Sequence, residues 1–399
     1  VRTIIATIAD AAERWHNADF PPRVRATRAI ETRTGYAEPV IDFALDALFA
    51  SVTSRALEAT IASELGDIAA LDGFVTRADR PDVTYRARSP IAIVSSDTTI
   101  GVAIPPLVFA LCAKAEVRVK DRSDGLVRAF VETLAEELPQ IARAVSVESW
   151  DGASDDATIR MLHDARAVVA FGRDETLRTI RAALRADASF VGMGHRTSIA
   201  YIARESLVEE ARIRTLAREL ARDVLLYDGD GCLSAHVIFC ERGAPIGPHA
   251  FARTLALACD DAATEFPAGY AELDPAAVRY RDAARFRASQ GAGALFGGTI
   301  APHVVVLDPP FDEAPPLMRR TAAVIGVGDA QEALSYLRRH ALPLEGVSVS
   351  DRRGDLDAFA LACGASRVCA IGDLQRPPLE GEHGGFGRIL PLVRAIYRA

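Results

Sequence analysis

Residues 89–125 read SPIAIVSSDTTIGVAIPPLVFALCAKAEVRVKDRSDG. Ile91–Val94 is a short apolar run closed by the small, polar stretch SSDTT, the pattern of a strand buried on both faces. PPLVFALCAKA (105–115) opens on proline, which suits a first helical turn because its missing amide has no partner there anyway. EVRVKDRSDG (116–125) is a second strand, ending at Lys120. Strand, helix and strand in that order predict a parallel sheet.

The pattern extends in both directions. LVRAFVETLAEELPQIA (126–142) is an amphipathic helix, ARAVVAFG (165–172) a strand ending at Gly172, and DETLRTIRAAL (174–184) a further helix. Upstream, residues 1–65 carry apolar residues at helical spacing, broken at Pro21–Pro22 and near Pro39. Downstream, FVGMGHRTSIAYIARES (190–206) interrupts the alternation with a glycine-rich turn. A long helix then leads to Cys232, and CLSAHVIFCE (232–241) is a strand. GPHAFARTLALACDDAATEFP is a helix, ALFGGTIAPHVVVLDPP turns strand-like at its end, and TAAVIGVGD, AQEALSYLRRHA and PLEGVSVSD read as strand, helix and strand. The ending HGGFGRILPLVRAIYRA reads as glycine turns and a short amphipathic helix. The fold class expected is α/β, with two doubly wound parallel-sheet domains.

Composition agrees. A chain of 399 residues exceeds one ordinary compact domain. The 46 basic side chains are scattered among 54 acidic ones, for a net charge of −8, and form no basic run, which argues against a nucleic-acid partner. Six cysteines without a CxxC pair read as free thiols of a reducing cytosol rather than disulfides or structural zinc. The sequence is read as having no signal peptide and no membrane span, and as cytoplasmic.

Cys232 is the candidate nucleophile. Gly229 and Gly231 permit unusual backbone geometry, and amides at a turn before a strand can face a half-exposed thiol. Asp228 and Asp230 would raise its pKa if they pointed inward; the plainer alternative is a small buried hydrophobe. Lys120 closes a parallel strand at the carboxyl edge where open α/β sheets bind ligands, or else is a solvated strand end. Gly172 would let a phosphate approach a helix N-terminus. His195 titrates near neutrality and can move protons, or it shapes the turn. Arg196 is a surface cation or a phosphate contact, and His383 a turn residue. Cys240, Cys259, Cys363 and Cys369 read as core.

The order of these elements resembles the aldehyde dehydrogenase superfamily. AKAEVRVKDRS is similar to that superfamily's strand ending in a cofactor-binding lysine, and VVAFGRDETLRTI to its glycine turn and helix beside the cofactor diphosphate. More closely, GRDETLRTI, GHRTSIAYI, DGDGCLSAHVIF, LEGVSVS and HGGFGRILPLVR resemble the acyl-CoA reductase (LuxC-like) branch, from about residue 90 to the C-terminus. The resemblance implies an aldehyde dehydrogenase-like fold with its active site in the cleft between two domains. It divides the chain into N-terminal helices with an NAD(P)-binding domain (1–196), a catalytic domain (197–370), and a C-terminal segment (371–399) that packs back or meets an oligomer partner. Cys232 and His195 become the catalytic pair, and Lys120, Arg122, Gly172, Arg173, Ser96 and Asp97 the cofactor-binding set. NADPH is favoured over NADH because Lys120 and Arg122 could meet a 2′-phosphate; CoA is the leaving group, the substrate an acyl-CoA or acyl-protein thioester, and the assembly a homo-oligomer.

Three departures qualify the resemblance. The stretch SSDTT, with Asp97 or Thr98, stands where the superfamily has an oxyanion-binding Asn. Gly192 stands where it has a general-base Glu, and PLMRRT (316–321) near its ribose-binding Glu. A missing base disfavours thioester hydrolysis and so favours acyl-thioester reduction. An aldehyde dehydrogenase making acid, and a catalytically weakened nucleotide-binding subunit, remain the alternatives.

Overall fold

The computed structural model describes the chain apart from residues 79, 97–98, 122–124, 150–155, 270–274, 298–302, 308–318, 352 and 399, and the side chains of 80, 276–277 and 303–307. It forms two compact units, residues 1–195 with 378–399 and residues 196–377.

The first unit opens with helices α1 (Arg2–Arg14), α2 (Pro21–Thr34), α3 (Glu38–Ser51) and α4 (Ser54–Leu65), with proline in the first turn of α2 and α3. Strands β1 (Val75–Arg77) and β2 (Arg80–Ala87) follow, where only generic helices were expected before residue 85. Then come β3 (Ile91–Val94), α5 (Ile104–Cys112), β4 (Val117–Lys120), α6 (Leu126–Glu137), α7 (Gln140–Ala144), β5 (Val145–Glu148), α8 (Asp156–Asp164), β6 (Ala167–Phe171), α9 (Asp174–Ala182) and β7 (Ser189–Met193). Among the described residues they make a parallel sheet in the order β5-β4-β3-β6-β7. β3 lies at its centre, fully buried, and the winding reverses there. FVGM, read as part of a turn, is strand β7, because the free edge of β6 accepts it (Ala170 pairs with Gly192).

The second unit runs β8 (Thr197–Ile202), α10 (Glu210–Leu225), β9 (Ala235–Glu241), α11 (Pro248–Glu265), α12 (Pro275–Ser289), β10 (Ala294–Phe296), β11 (His303–Leu307), β12 (Thr321–Val327), α13 (Ala330–His340), β13 (Leu344–Val349), α14 (Gly354–Cys363) and β14 (Arg367–Ala370). The sheet order is β10-β11-β12-β9-β8-β13-β14, antiparallel only at β10–β11. α10 and α11 cover one face over Ala200, Ile202, Ile238 and Val324; α13 and α14 cover the other over Ile199, Phe239 and Val347. Each fully buried aliphatic side chain contributes about 1.5–3 kcal/mol.

The tail corrects the helix expected there. Val393–Arg398 is strand β15, antiparallel to β2, with Val393 opposite Ala87 and Arg398 opposite Asp82. As a strand the segment satisfies the edge of β2, whose main-chain groups a helix would leave unpaired. Ahead of it, the Glu64 carboxylate on α4 accepts the amides of Arg388 (2.6 Å), Ile389 (3.0 Å) and Leu390 (2.8 Å). Gly387 makes this approach possible, since a Cβ there would stand 2.7 Å from Glu64 Oε2. Glu64→Ala, by orphaning three amides, should lower unfolding stability by about 1.5–3 kcal/mol in denaturant titration; Asp67→Ala, an exposed cap of one amide, should cost at most about 1 kcal/mol.

Candidate active site

Cys232 lies in the turn before β9, three residues ahead of the strand it was expected to begin. The chain reaches it through Tyr227 (φ 55°), Asp228 (φ 54°) and Gly229 (φ 79°), three consecutive left-handed residues of which only the glycine adopts that conformation freely. Gly231 matters for space instead: a Cβ there would stand 3.3 Å from Ser234 Oγ and 3.4 Å from the Tyr227 ring.

The two aspartates are turned away from the thiol. Asp228, buried, pairs with Arg320 Nε and accepts the Gly269 amide at 3.1 Å, while its carbonyl accepts the Arg320 amide at 3.0 Å. Asp230 pairs with Arg319 Nε at 2.7 Å. PLMRRT thus supplies, through its described residues Arg319 and Arg320, the cations that hold the turn; its residues 316–318 lie outside the described chain. On the other side, Ser198 Oγ donates to the Cys232 carbonyl (2.9 Å) and accepts the Gly346 amide (3.0 Å).

Burial pushes the Cys232 thiol up to about 12, and the negative charge of Glu345 adds to it; the main chain of Cys232 and Leu233 and the charge of Arg196 pull the other way. Sequence reasoning missed Glu345. Its only trace was the phrase LEGVSVS, where a charge interrupts an apolar strand. All six cysteines are free. Cys240 and Cys259 are buried as expected of core residues, and so is Cys112; Cys363 and Cys369, also read as core, are only half-buried, Cys369 on the edge strand β14.

In the first unit, the described members of the expected cofactor set, Ser96, Lys120, Gly172 and Arg173, lie at the carboxyl ends of β3, β4 and β6. Lys120 is 2% exposed, so it is no solvated strand end; its Nζ donates to Thr158 Oγ1 on α8 at 3.2 Å. Ser96 is half-buried just past β3, and Ser95 Oγ donates to Asp121 at 3.1 Å. Asp97, Thr98 and Arg122 lie outside the described residues. Gly172 follows β6, and exposed Arg173 precedes α9, whose first turn carries Asp174 and Glu175. Phe171 lies 6.1 Å, ring to ring, from His383, whose backbone pairs with Phe386, so the HGGFG stretch packs by this strand end. A cavity of about 230 Å³ lies beside β4 and β5, lined among others by Arg118, Glu148 and Arg160. His195, exposed after β7, makes no hydrogen bond or ion pair among the described residues.

The fold is that of aldehyde dehydrogenases. It is similar to a NAD-dependent benzaldehyde dehydrogenase from Corynebacterium glutamicum (14% identity, covering 100% of this chain and 86% of that one, TM-score 0.69). An oxidoreductase from Marinobacter aquaeolei is also similar (13%, 99% and 85%, 0.73), as is aldehyde dehydrogenase 21 from Physcomitrella patens (10%, 99% and 84%, 0.71). Among curated proteins none matches significantly. The family model described as acyl-CoA reductase (LuxC) matches residues 1–395, and the chain belongs to that family. It is therefore an oxidoreductase that uses a nicotinamide cofactor on an aldehyde or acyl thioester. No helix among the described residues is long and apolar enough to cross a membrane.

The two aspartates flanking the turn separate in energy. Asp228→Ala leaves Arg320 buried without its carboxylate and should cost about 3–5 kcal/mol. Asp230→Ala, in a pair about a quarter to a third exposed, should cost at most about 1 kcal/mol. Urea unfolding of both variants measures the difference.

Proposed function

We propose that the protein reduces an acyl-CoA to its aldehyde through a thioacyl intermediate on Cys232. The supporting observations are the match to the acyl-CoA reductase family and a half-buried Cys232 in a turn fixed by two aspartate–arginine pairs. Cys232 Sγ attacks the thioester carbonyl and the amides of Cys232 and Leu233 hold the oxyanion. The carbon–sulfur bond to CoA then breaks, the thiol proton passing by way of His195 to the departing thiolate. Bound nicotinamide supplies the hydride. The acyl carbon, once reduced, leaves Cys232 as aldehyde.

The residues at the strand ends fit a dinucleotide. Lys120, held by Thr158, would lie near the ribose with Ser96, Asp97 and Arg122, and Gly172–Arg173 near the diphosphate, at the point where sheet winding reverses. NADPH is favoured over NADH because Lys120 and Arg122 could meet a 2′-phosphate. Reduction is favoured over hydrolysis because Gly192, with no carboxylate, stands where the superfamily has its general-base Glu. We also infer a cytoplasmic homo-oligomer.

Incubation with acyl-CoA and no cofactor should add one acyl mass to Cys232, seen by peptide mass spectrometry, and release free CoA. Cys232→Ser should abolish turnover with the fold intact, and His195→Ala should slow acylation by about 10²-fold or more. Near-wild-type turnover in the serine variant defeats the mechanism. Acid rather than aldehyde as product would favour an aldehyde dehydrogenase, and no acylation at all a nucleotide-binding subunit.

Lys120→Met, which keeps the stem, should weaken NADPH binding in calorimetry by about one to two decades, the value of a charged contact of ~1.5–3 kcal/mol. Unchanged affinity would remove Lys120 from the cofactor site.

A further inference from the structure

The segment 223–234 leaves the last turn of α10, passes through the left-handed residues Tyr227 and Asp228, carries Cys232 and leads into β9. One side chain spans its two ends. Gln375, 5% exposed in the loop after β14, donates from Nε2 to the carbonyl of Asp223 at 3.3 Å and to Ser234 Oγ at 3.2 Å. An amide nitrogen carries two protons, so both of its donors are used here. Asp223 and Ser234 are fully buried.

Ser234 in turn shapes the corner that holds the thiol. Its amide donates to the Gly231 carbonyl at 2.9 Å, which puts Cys232 and Leu233 at the two central positions of a tight turn. Its carbonyl accepts the Ser198 amide at 3.3 Å, and Ser198 Oγ donates to the Cys232 carbonyl. The loop that bears Gln375 is fixed as well. The Asp223 carboxylate accepts the Gly372 amide at 2.9 Å, and Arg367 on β14 donates to the carbonyls of Asp373, Leu374 and Arg376. A Cβ on Gly372 (φ 90°) would stand 2.8 Å from Glu219 Cβ, so this loop lies directly on α10.

We propose that Gln375 is a positioning residue for Cys232: its side-chain amide closes the segment 223–234 and sets the thiol against β8 for acyl transfer. The proposal rests on the reading of Cys232 as nucleophile. Two left-handed non-glycine residues strain this segment towards relaxation, and pinning its ends together removes the arrangements it would relax into. A reacting group displaced by about 1 Å can lose ~10²-fold in rate. Gln375 acts through Ser234 and not on the sulfur.

The test compares wild type with Gln375→Met, which keeps the side-chain length without its donors, and Ser234→Ala, which removes the acceptor. The first readout is the rate constant for single-turnover acylation of Cys232 at saturating acyl-CoA, using whichever of a straight-chain panel acylates wild type fastest. Unfolding lowers the amplitude of that reaction and leaves the rate constant of the folded fraction unchanged. The second is alkylation of the six cysteines by iodoacetamide at about pH 8, resolved by peptide mass spectrometry, with buried Cys240 and Cys259 reporting general loosening. Each variant should lower the acylation rate constant by about tenfold, and the double variant should be no slower than Gln375→Met. Alkylation of Cys232 should rise by about tenfold with Cys240 and Cys259 unmoved. An acylated wild type whose variants keep its rate constant, effects that add in the double variant, or Cys240 and Cys259 rising along with Cys232 each overturn the positioning role alone. A wild type that takes up no acyl group overturns the nucleophile reading, and the positioning role with it.

Discussion

One hydroxyl joins the parts of the second unit. Ser198 Oγ on β8 donates to the carbonyl of Cys232 and accepts the amide of Gly346 on β13. A serine has one donor and two acceptor lone pairs, so it can hold both groups at once, and the site is dry enough that losing it would leave buried main-chain groups without partners. The turn of Cys232, the central strand β8 and strand β13 are set against one another by this contact.

The turn itself is held against its own preference. Two left-handed non-glycine residues cost about 1–3 kcal/mol each. The Asp228–Arg320 pair, bound at both side chain and main chain, offsets that cost. The result is a half-buried thiol ahead of the amino end of β9. The carboxyl end of the same strand is closed differently: Glu241 accepts from Tyr201 (2.8 Å), Arg204 (2.8 Å) and Arg353 (2.9 Å). The hydrogen bonds and cations outweigh burial and hold that carboxyl down at about 2, a fixed charge and not a proton carrier near neutrality.

In the first unit the chemistry gathers at carboxyl ends. β3 occupies the centre because it is apolar on both faces, and the chain winds outward from it in two directions. That reversal leaves a crevice at the strand ends bearing Ser95, Ser96 and Gly172. The C-terminal segment is tied to the same unit by Glu64 and by β15.

The sequence alone determined the alternation of strands and helices, the positions of β3, β4, β6, β9, β12 and β13, and the prominence of Cys232, Lys120 and Gly172. These are local signals: apolar runs, proline at helix starts, glycine beside a thiol. Only the tertiary structure decided where charges point. Asp228 and Asp230 sit next to Cys232 in sequence yet face Arg320 and Arg319, far along the chain. Glu345, distant in sequence, is buried on β13 with its carboxylate on Ser366 and near Arg196. The tail became a strand because β2 offered an open edge, and Lys120 became a buried cation because α8 covers it. Periodicity records which face of an element is apolar; it carries no information on which distant residue will meet a given side chain, and charge–charge energies depend on that distance and burial alone.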